Sequence, residues 1–407
     1  MISVSEAKQI VFSNLYKSSI IEVDIKEAVG EVLMEEVLAD RDFPPFDRVT
    51  MDGIVINYEA FEKGNRSFAI ESVQAAGMPQ NTLKDISGCI EIMTGAVRPE
   101  NSDTVIRYED IEFTEVNGIR IATLIGDDVV KSKGQNVHKK GTDRKASSVL
   151  IRKGVLISPA EVAVMATVGR STIKVAKKPR VAIISSGDEL VDVNETPAAH
   201  QIRKSNSYAL YTAVTALKVA AEMFHLKDNK QEIYNELKLI LSEFDVLILS
   251  GGVSKGKFDF VPAVLTELNV NKLFHKVKQR PGKPFFFGVA AGNKTIFALP
   301  GNPVSTFSGF YHYIKPWLMQ SLGMVITGEV LKARLTDAFN FKPNLSYFLQ
   351  VKVSTDSSGE LLAFPIVGKG SGDFANLLEA DGFLELPYDK LVFEKGEAYP
   401  LTLYRYL

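Results

Sequence analysis

The order of apolar and polar positions divides the chain into segments of different character. Near the start, Ser3-Val-Ser-Glu6 has the form of a capping box, and Ile10, Val11 and Leu15 fall on one face of the helix that it opens. Asp40-Arg-Asp-Phe-Pro-Pro-Phe-Asp47 then interrupts regular structure, because proline and the residue before it resist a helix. We expect a domain boundary at this segment.

The next part of the chain is rich in β signals. Short runs such as Gly53-Ile-Val-Ile-Asn57 and Thr104-Val-Ile-Arg107 alternate with turns, which predicts a compact β domain. Helical character returns at Ser158-Pro-Ala-Glu161, a second capping box with proline at the first helical position, and Gly169 ends that helix. A helical piece on each side of a β insertion suggests one discontinuous helical domain.

From Pro179 the pattern changes to alternating strands and helices. Three short apolar runs lack period-2 alternation and suit parallel strands covered on both faces: Val181-Ala-Ile-Ile-Ser185, Asp245-Val-Leu-Ile-Leu-Ser250 and Thr295-Ile-Phe-Ala-Leu299. Helices are expected over 207–221, 229–242, 260–268 and 303–322. This order predicts a doubly wound α/β domain. After Gly323 the chain is again β-rich, which favours a small β barrel or sandwich.

Together these segments predict a multidomain α/β protein. A chain of 407 residues is too long for a single hydrophobic core. The expected domains are the discontinuous helical domain (1–43 and 139–178), the β-rich insertion (44–138), the α/β domain (179–325) and the C-terminal β domain (326–407).

Composition narrows the class of protein. The formal charge of −2 argues against a nucleic-acid binder, which normally carries a basic excess. Cys89 is the one cysteine, so no intramolecular disulfide can form, and a reducing compartment is expected. We see neither a signal peptide at Met1 nor an apolar run of the ~20 residues that a membrane helix needs. The five histidines lack metal-ligand spacing. These features predict a cytoplasmic protein that binds neither membrane nor zinc.

Each of the three apolar strands leads into a glycine turn. The turns are Ser185-Ser-Gly-Asp-Glu189, Ser250-Gly-Gly-Val-Ser254 and Leu299-Pro-Gly-Asn-Pro303. In open α/β sheets, ligands bind at the carboxyl ends of the strands, where glycine lets backbone N–H groups approach a phosphate. Three such turns on one sheet indicate a phosphorylated substrate.

Charged residues near these turns refine the expected chemistry. Asp188, Glu189 and Asp259 are carboxylates beside the expected phosphate site, which suggests Mg²⁺ held by a few protein oxygens and by substrate phosphates. Arg280-Pro-Gly-Lys283 offers two cations for the remaining anionic oxygens. No GxGxxG follows a strand, so a dinucleotide site is not indicated.

Simpler interpretations exist for several of these residues. Asp259 and Asp228 each precede an expected helix and could serve as N-caps. Asp188 and Glu189 could be solvated loop carboxylates, and Asn302-Pro303 is a common helix start. From these patterns alone, the chain is an Mg²⁺-dependent enzyme acting on a phosphorylated ligand.

The same segments, taken in order, resemble those of the molybdopterin molybdenumtransferase family, also called MoeA and, in animals, the E domain of gephyrin. The matching stretches are Pro45-Phe-Asp-Arg-Val-Thr-Met-Asp-Gly53, Ile92-Met-Thr-Gly-Ala96 with Asp103-Thr-Val105, Ser185-Ser-Gly-Asp-Glu-Leu190, Ser250-Gly-Gly-Val-Ser254 followed by Asp259, Arg280-Pro-Gly-Lys-Pro-Phe285 and Leu299-Pro-Gly-Asn-Pro-Val-Ser305. The resemblance extends over essentially the whole chain.

The resemblance implies a reaction and an assembly. Family members take adenylylated molybdopterin and molybdate, release AMP with Mg²⁺, and leave molybdenum on the pterin dithiolene. They form homodimers in which the β insertion of one subunit reaches the site of the other, so Asp52 and Thr94 are expected to act across the dimer. Glu189 and Asp259 are implied as Mg²⁺ ligands, with Asp228 as a further acidic candidate. A molybdopterin adenylyltransferase is the implied supplier of substrate.

The resemblance also implies a set of substrate contacts. The expected residues are Ser186, Gly187, Asp188, Ser250, Gly251, Gly252, Ser254, Arg280, Lys283, Pro300, Gly301, Asn302 and Pro303. The chain departs from the usual family pattern by its basic residues Arg203, Lys204, Lys255 and Lys257, and by Arg280 in place of a common lysine. The departures leave open whether activity is altered. Two alternatives to the transferase are another enzyme acting on a pterin or nucleotide-like ligand and a non-catalytic pterin-binding scaffold. The sequence also leaves open the preference for molybdenum or tungsten, and the order of Mo–S bond formation and AMP release.

Overall fold

A computed structural model of the chain describes residues 1–126, 128–253, 260–325, 330–368, 370, 372–373 and 375–405. Four residues named above, Ser254, Lys255, Lys257 and Asp259, lie outside these ranges. The structure forms two compact units. The first comprises Met1–Glu35, Lys153–Pro159 and Thr172–Leu407, and the second comprises Glu36–Arg152 and Ala160–Ser171. Within the described ranges, no helix is both long and apolar enough to span a membrane.

A six-stranded sheet forms the centre of the first unit. Across the sheet the strands lie in the order Ala221–Leu226, Val181–Ser186, Val246–Ser250, Lys294–Leu299, Pro284–Ala290 and Asn271–Lys276. The first four are parallel, and the last two run antiparallel to their neighbours. The three apolar runs are therefore adjacent parallel strands, and their residues are almost all buried. This confirms the α/β prediction and brings the three glycine turns to one edge.

Helices cover both faces of this sheet. They are Ser205–Thr215, Lys230–Glu243, Val261–Glu267, Pro303–Gly309 and Lys315–Ser321, with a π-helical turn, Phe310–Ile314, joining the last two. Alternate residues of each strand point to opposite faces, so Ile183 packs near Trp317 while Ile184 packs near Ile233. Such coverage explains why the strands read as unbroken apolar runs.

The expected helix over 207–221 is wrong in its second half. The helix ends at Thr215, and Lys218 adopts a positive φ of 57°. The chain then forms Ala221–Leu226, the edge strand that pairs in parallel with Val181–Ser186. Pairing with the sheet gives these residues hydrogen-bond partners that local helix propensity does not anticipate.

The N-terminal helix, Val4–Ser13, belongs to the first unit. Its predicted capping box is confirmed: the Ser3 hydroxyl accepts a hydrogen bond from the Glu6 N–H (3.1 Å), and the Glu6 carboxylate accepts one from the Ser3 N–H (2.7 Å). The helix buries its apolar face in the cluster that contains Trp317, whose indole N–H donates to the Asn14 carbonyl (2.9 Å). Beyond it, Ile20–Asp24 pairs antiparallel with Thr172–Ala176.

The C-terminal part of the first unit is a closed five-stranded barrel. Its strands follow the order Ser346–Thr355, Leu361–Pro365, Lys332–Leu335, Ala398–Leu403 and Gly382–Leu386, and the last pairs with the first. Apolar side chains such as Leu349, Val351 and Leu384 fill the interior. Phe339–Asn340 pairs with Val392–Phe393, and Asn376–Glu379 is a short helix. Gln279–Arg280 extends this sheet by pairing with Ser346 and Tyr347.

The second unit is rich in β-strands and spans more of the chain than the insertion predicted over 44–138. The predicted division into four domains stays a prediction. Six strands of the second unit lie in the order Thr104–Arg107, Gly53–Ile56, Cys89–Ile92, Ser67–Gln74, Ile119–Leu124 and Ile111–Val116. Two short pairs accompany them, Arg48–Val49 with Val137–His138 and Val37–Leu38 with Val149–Ile151. Helical segments are Tyr58–Glu62, a 3₁₀ turn at Tyr108–Asp110 and most of Pro159–Thr167.

Candidate functional site

A cavity of about 1100 Å³ lies at the carboxyl edge of the parallel strands in the first unit. Ligands bind at this edge in open α/β sheets because the strand-to-helix loops leave a crevice there. Most of the predicted substrate contacts line the cavity, namely Ser186, Gly187, Ser250, Gly251, Gly252, Arg280, Lys283, Pro300, Gly301, Asn302 and Pro303. Two residues predicted as catalytic, Glu189 and Asp228, also line it.

The double glycine after Val246–Ser250 lets two turns pack together. Gly251 has a φ of +99°, and a Cβ atom there would lie 2.7 Å from the Ser186 carbonyl oxygen. Gly252 has a φ of +69°, and its Cβ would lie 2.8 Å from the Ser186 hydroxyl oxygen. The Gly251 N–H donates to the Leu299 carbonyl (3.0 Å), so the protein itself uses that amide. The glycines therefore permit backbone contact among all three turns.

Asn206 holds the turns in place, a role that sequence reasoning missed. Its side-chain amide donates to the Ser250 hydroxyl oxygen (2.8 Å) and to the Gly301 carbonyl (2.7 Å). The Thr306 hydroxyl donates to the Pro300 carbonyl (2.6 Å) and lies 3.3 Å from the Ser250 hydroxyl. Asn206 is in the first turn of Ser205–Thr215, where a polar residue is so common that its sequence gave no separate signal.

Two carboxylates line the cavity at the end of the strands. The Glu189 carboxylate folds back over Gly187, since a Cβ on that glycine would lie 2.4 Å from the Glu189 Oε2 atom. Asp228 lines the cavity as well, and its N–H donates to the Asp188 carboxylate (3.1 Å). Asp188 is not among the lining residues, so in this structure it supports the Asp228 backbone.

The helix that follows Asp228 is capped by a different residue. Asn229 is the N-cap, and its side-chain oxygen accepts hydrogen bonds from the N–H groups of Gln231 (3.0 Å) and Glu232 (3.2 Å). The capping interpretation of Asp228 is therefore wrong. In the same way, Val261–Glu267 has Phe260 at its N-cap position, while Asp259 lies outside the described residues.

Arg280 and Lys283 reach the cavity from a loop with internal hydrogen bonds. The buried side chain of Gln279 donates to the Gly282 carbonyl (3.0 Å) and accepts from the Tyr313 hydroxyl. The Val277 N–H also donates to the Lys283 carbonyl (3.1 Å). These bonds fix the loop and present its two cations to the cavity. Gln279 was not predicted, since nothing in the sequence distinguishes it from a surface glutamine.

Arg203 and Lys204 line another part of the same cavity. They belong to a short parallel ribbon in which Leu190–Val191 pairs with Ile202–Arg203. The Ile202 N–H donates to the Glu189 carbonyl (2.8 Å), and the Lys204 N–H donates to the Val191 carbonyl (3.0 Å). One ribbon therefore holds the Glu189 backbone beside both cations.

A histidine lies next to the first turn. The Nδ1 atom of His225 is 3.1 Å from the Ser185 hydroxyl oxygen. Burial, followed by the nearby charge of Lys204, lowers the pKa of His225 and so favours the neutral ring. Sequence reasoning gave His225 no role, because the tertiary contact with Ser185 has no counterpart in residue spacing.

The donor set at the cavity fits a metal that arrives with substrate. Over the residues that the structure describes, no group of three or more His, Cys, Asp or Glu side chains could hold a metal ion. Mg²⁺ commonly takes only one or two carboxylates and completes its shell with waters and substrate phosphates. Glu189 and Asp228 supply such carboxylates beside the cations.

Asp52 and Thr94 lie together in the second unit. The Thr94 N–H donates to the Asp52 carboxylate (2.6 Å), and this hydrogen bond lowers the pKa of Asp52. The adjacent Gly53 permits the turn, since a Cβ there would lie 1.8 Å from the Ile106 carbonyl oxygen. The described lining of the cavity comes from the first unit alone. The role of Asp52 and Thr94 across a dimer stays a prediction.

Family models match most of the chain. The model described as "MoeA N-terminal region (domain I and II)" matches residues 2–169. The model described as "Probable molybdopterin binding domain" matches residues 182–320, which contain the cavity's three glycine turns. The model described as "MoeA C-terminal region (domain IV)" matches residues 332–403.

Full-length relatives agree with these matches. A molybdopterin molybdenumtransferase of Synechocystis sp. is 37% identical over 402 residues, covering 98% of this chain and 99% of the relative. One of Staphylococcus aureus is 29% identical over 411 residues, covering 99% and 95%. The crystal structure of the molybdopterin biosynthesis MoeA protein from Pyrococcus horikosii superposes with a TM-score of 0.82 at 31% identity and covers both chains completely. The chain therefore belongs to the molybdopterin molybdenumtransferase (MoeA) family.

Proposed function

We propose that this chain transfers molybdenum from molybdate to adenylylated molybdopterin and releases AMP in a reaction that requires Mg²⁺. The observation that carries the proposal is the composition of one cavity. There, the closely packed glycine turns of three parallel strands meet two carboxylates and a hydrogen-bonded loop with two cations. Family membership supports the coarser activity, molybdenum transfer to molybdopterin in cofactor biosynthesis.

The charges of the cavity suit two anionic reactants. Molybdate and a phosphoanhydride repel each other, so their approach requires fixed positive charge that is already in place. Arg280 presents a planar fork of donors to anionic oxygens, and Lys283 adds a compact charge. Because their loop is held by internal hydrogen bonds, little reorganisation accompanies binding.

In this proposal one carboxylate binds the metal ion and the other accepts a hydrogen bond. Glu189 would hold Mg²⁺ together with substrate oxygens and, as the family resemblance implies, with Asp259. When bound, Mg²⁺ supplies Lewis-acid stabilisation of charge on the phosphoryl oxygens. Asp228, which lines the cavity and whose N–H donates to the Asp188 carboxylate, would accept a hydrogen bond from substrate or water.

The assembly is part of the same proposal. A homodimer would allow Asp52 and Thr94 of one subunit to complete the site of the other. Each subunit would have the four domains predicted from the sequence. Support comes from the Asp52 turn, where the Thr94 N–H donates to an exposed carboxylate and lowers its pKa. A molybdopterin adenylyltransferase would supply the substrate.

Release of AMP from adenylylated molybdopterin tests this function. The assay is run with Mg²⁺, with and without molybdate, on the wild type, Glu189→Gln and Glu236→Gln. We expect molybdate-dependent release in the wild type, and a kcat lower by about a hundredfold in Glu189→Gln, because the metal loses a charged ligand. Glu236 is an exposed residue of Lys230–Glu243 and serves as the matched control. Release that does not depend on molybdate, or full activity of Glu189→Gln, would contradict the proposal.

A further inference from the structure

Two cations of the cavity have no part in the reaction as proposed above. Arg203 and Lys204 line it from the ribbon that follows Val181–Ser186. Their backbones are fixed by the pairing of that ribbon, including the bond from the Lys204 N–H to the Val191 carbonyl. The protein therefore holds these side chains at the cavity wall by regular backbone hydrogen bonds.

The protein satisfies these two charges only in part. Arg203 donates from its Nε atom to the Glu195 carbonyl (3.1 Å), which uses one of the five N–H donors of the guanidinium. Lys204 lies 3.8 Å from the Asp192 carboxylate, although its side chain is only 18% exposed. Asp192 also accepts a hydrogen bond from the Tyr208 hydroxyl (3.3 Å). The partly buried charge of Lys204 is stabilised by an additional anionic partner, and Arg203, which is exposed, has N–H donors besides Nε to offer to the same anion.

The charge balance of the described lining also favours an additional anion. Four cationic side chains line the cavity, namely Arg203, Lys204, Arg280 and Lys283. Two carboxylates line it, Glu189 and Asp228. The described lining thus carries more positive than negative charge, and a divalent metal ion bound by the carboxylates would increase that excess.

The two cationic pairs belong to different parts of the sheet edge. Arg280 and Lys283 immediately precede Pro284–Ala290, whereas the ribbon of Arg203 and Lys204 follows Val181–Ser186. Two strands, Val246–Ser250 and Lys294–Leu299, lie between these two in the sheet. Three interstrand spacings separate the strand ends by about 14 Å. Neighbouring phosphates of one phosphoanhydride share a bridging oxygen, so cationic pairs that follow or precede strands three positions apart in the sheet suit two separate anionic groups.

We propose that Arg203 and Lys204 form a second anion subsite, which binds a tetrahedral oxyanion while Arg280 and Lys283 bind another. The inference rests on the proposed function and specifies its substrate site: a phosphorylated substrate and a second oxyanion are held in the cavity together. The oxyanion is either free in solution, as molybdate is, or the phosphate of a nucleoside monophosphate.

Tungstate binding to the full-length protein tests the subsite without turnover. The protein is dialysed to equilibrium against tungstate, and the amount of tungsten bound per chain is measured. We expect two equivalents for the wild type and for the control Lys238→Gln/Lys272→Gln, whose lysines are exposed elsewhere on the same unit. For Arg203→Gln/Lys204→Gln we expect one equivalent, with the second site weakened at least about tenfold by loss of its charged donors. A single equivalent in the wild type, or two in this variant, would overturn the proposal.

Competition identifies the source of the oxyanion. If AMP displaces one equivalent of tungstate from the wild type, and none from Arg203→Gln/Lys204→Gln, the subsite holds the nucleotide phosphate. If AMP displaces none from either protein while two equivalents bind to the wild type, the subsite holds the free oxyanion. Dialysis measures binding without turnover. If the wild type bound two equivalents of tungstate but released no AMP in the activity assay, the proposed reaction would be wrong and the subsite would stand.

Discussion

The contact between Gly251 and Ser186 allows a quantitative prediction for the substitution Gly251→Ala. Gly251 has a φ of +99°, where an L-amino acid is strained by about 1–2 kcal/mol. The new methyl group would lie 2.7 Å from the Ser186 carbonyl oxygen, well inside the 3.4 Å at which ordinary van der Waals contact begins. That oxygen belongs to the backbone of a buried strand and cannot rotate away. Overpacking of this kind costs about 1–3 kcal/mol more.

Gly396→Ala is the matched control within the same unit. Gly396 has a φ of +86°, but a Cβ atom there would meet nothing within 4 Å. The backbone strain and the reduced entropy of the unfolded chain are thus common to both variants. The overpacking cost is specific to Gly251→Ala. We therefore expect Gly251→Ala to have the lower free energy of unfolding, by about 1–3 kcal/mol.

Urea unfolding followed by tryptophan fluorescence measures this difference. Trp317 is the one tryptophan, fully buried, and it packs against Phe297 on the strand that precedes the third glycine turn. Its emission therefore reports on the part of the unit that holds both Gly251 and the cavity. AMP release should fall in Gly251→Ala and be retained in Gly396→Ala. Equal stability of the two variants, within about 0.5 kcal/mol, would refute the close contact from which the prediction is derived.

Two further predictions concern buried titratable groups. Burial raises the pKa of Cys89 to about 12, so we expect iodoacetamide to leave the folded protein unlabelled at pH 8 and to label it in urea; rapid labelling of the folded protein would contradict this. Burial, together with the charge of Lys8, lowers the pKa of His312 from 6.5 to about 3, so the unfolded state binds a proton that the folded state does not. As the pH falls from 6.5 towards 3, this group should lower the free energy of unfolding by about 1.4 kcal/mol per pH unit. Urea unfolding measured across this pH range should show that the free energy of unfolding depends less steeply on pH in His312→Phe than in the wild type. The same pH dependence in both proteins would refute the prediction.

Much of the cavity could be predicted because its determinants are local. A glycine turn after a buried apolar run needs only a few consecutive residues to be recognised, as at Ser250-Gly-Gly-Val-Ser254. Once three such runs are taken as parallel strands, the direction of the chain places their turns at one edge. The cation pair of Arg280 and Lys283 was found for the same reason, since both residues lie in one short segment.

Residues whose roles depend on contacts between distant segments were missed or misjudged. Asn206 bonds to Ser250 and to Gly301, which are far from it in the chain. The N-cap of the helix Lys230–Glu243 is Asn229, and Asp228 lines the cavity instead. Local propensity does not distinguish between two neighbouring residues that are both good N-caps. The cationic character of Arg203 was visible in the sequence, but its place in the cavity wall was not.

By itself, the sequence determined the α/β class, the capping box at Ser3, the three glycine turns and the types of side chain available to the site. These features follow from side-chain periodicity and from backbone preferences over a few residues. Only the tertiary structure decided that Ala221–Leu226 is an edge strand, that the C-terminal strands close into a barrel, and that Asp188 supports Asp228. Each of these depends on hydrogen bonds between segments that chain folding alone brings together, and such bonds leave no local pattern.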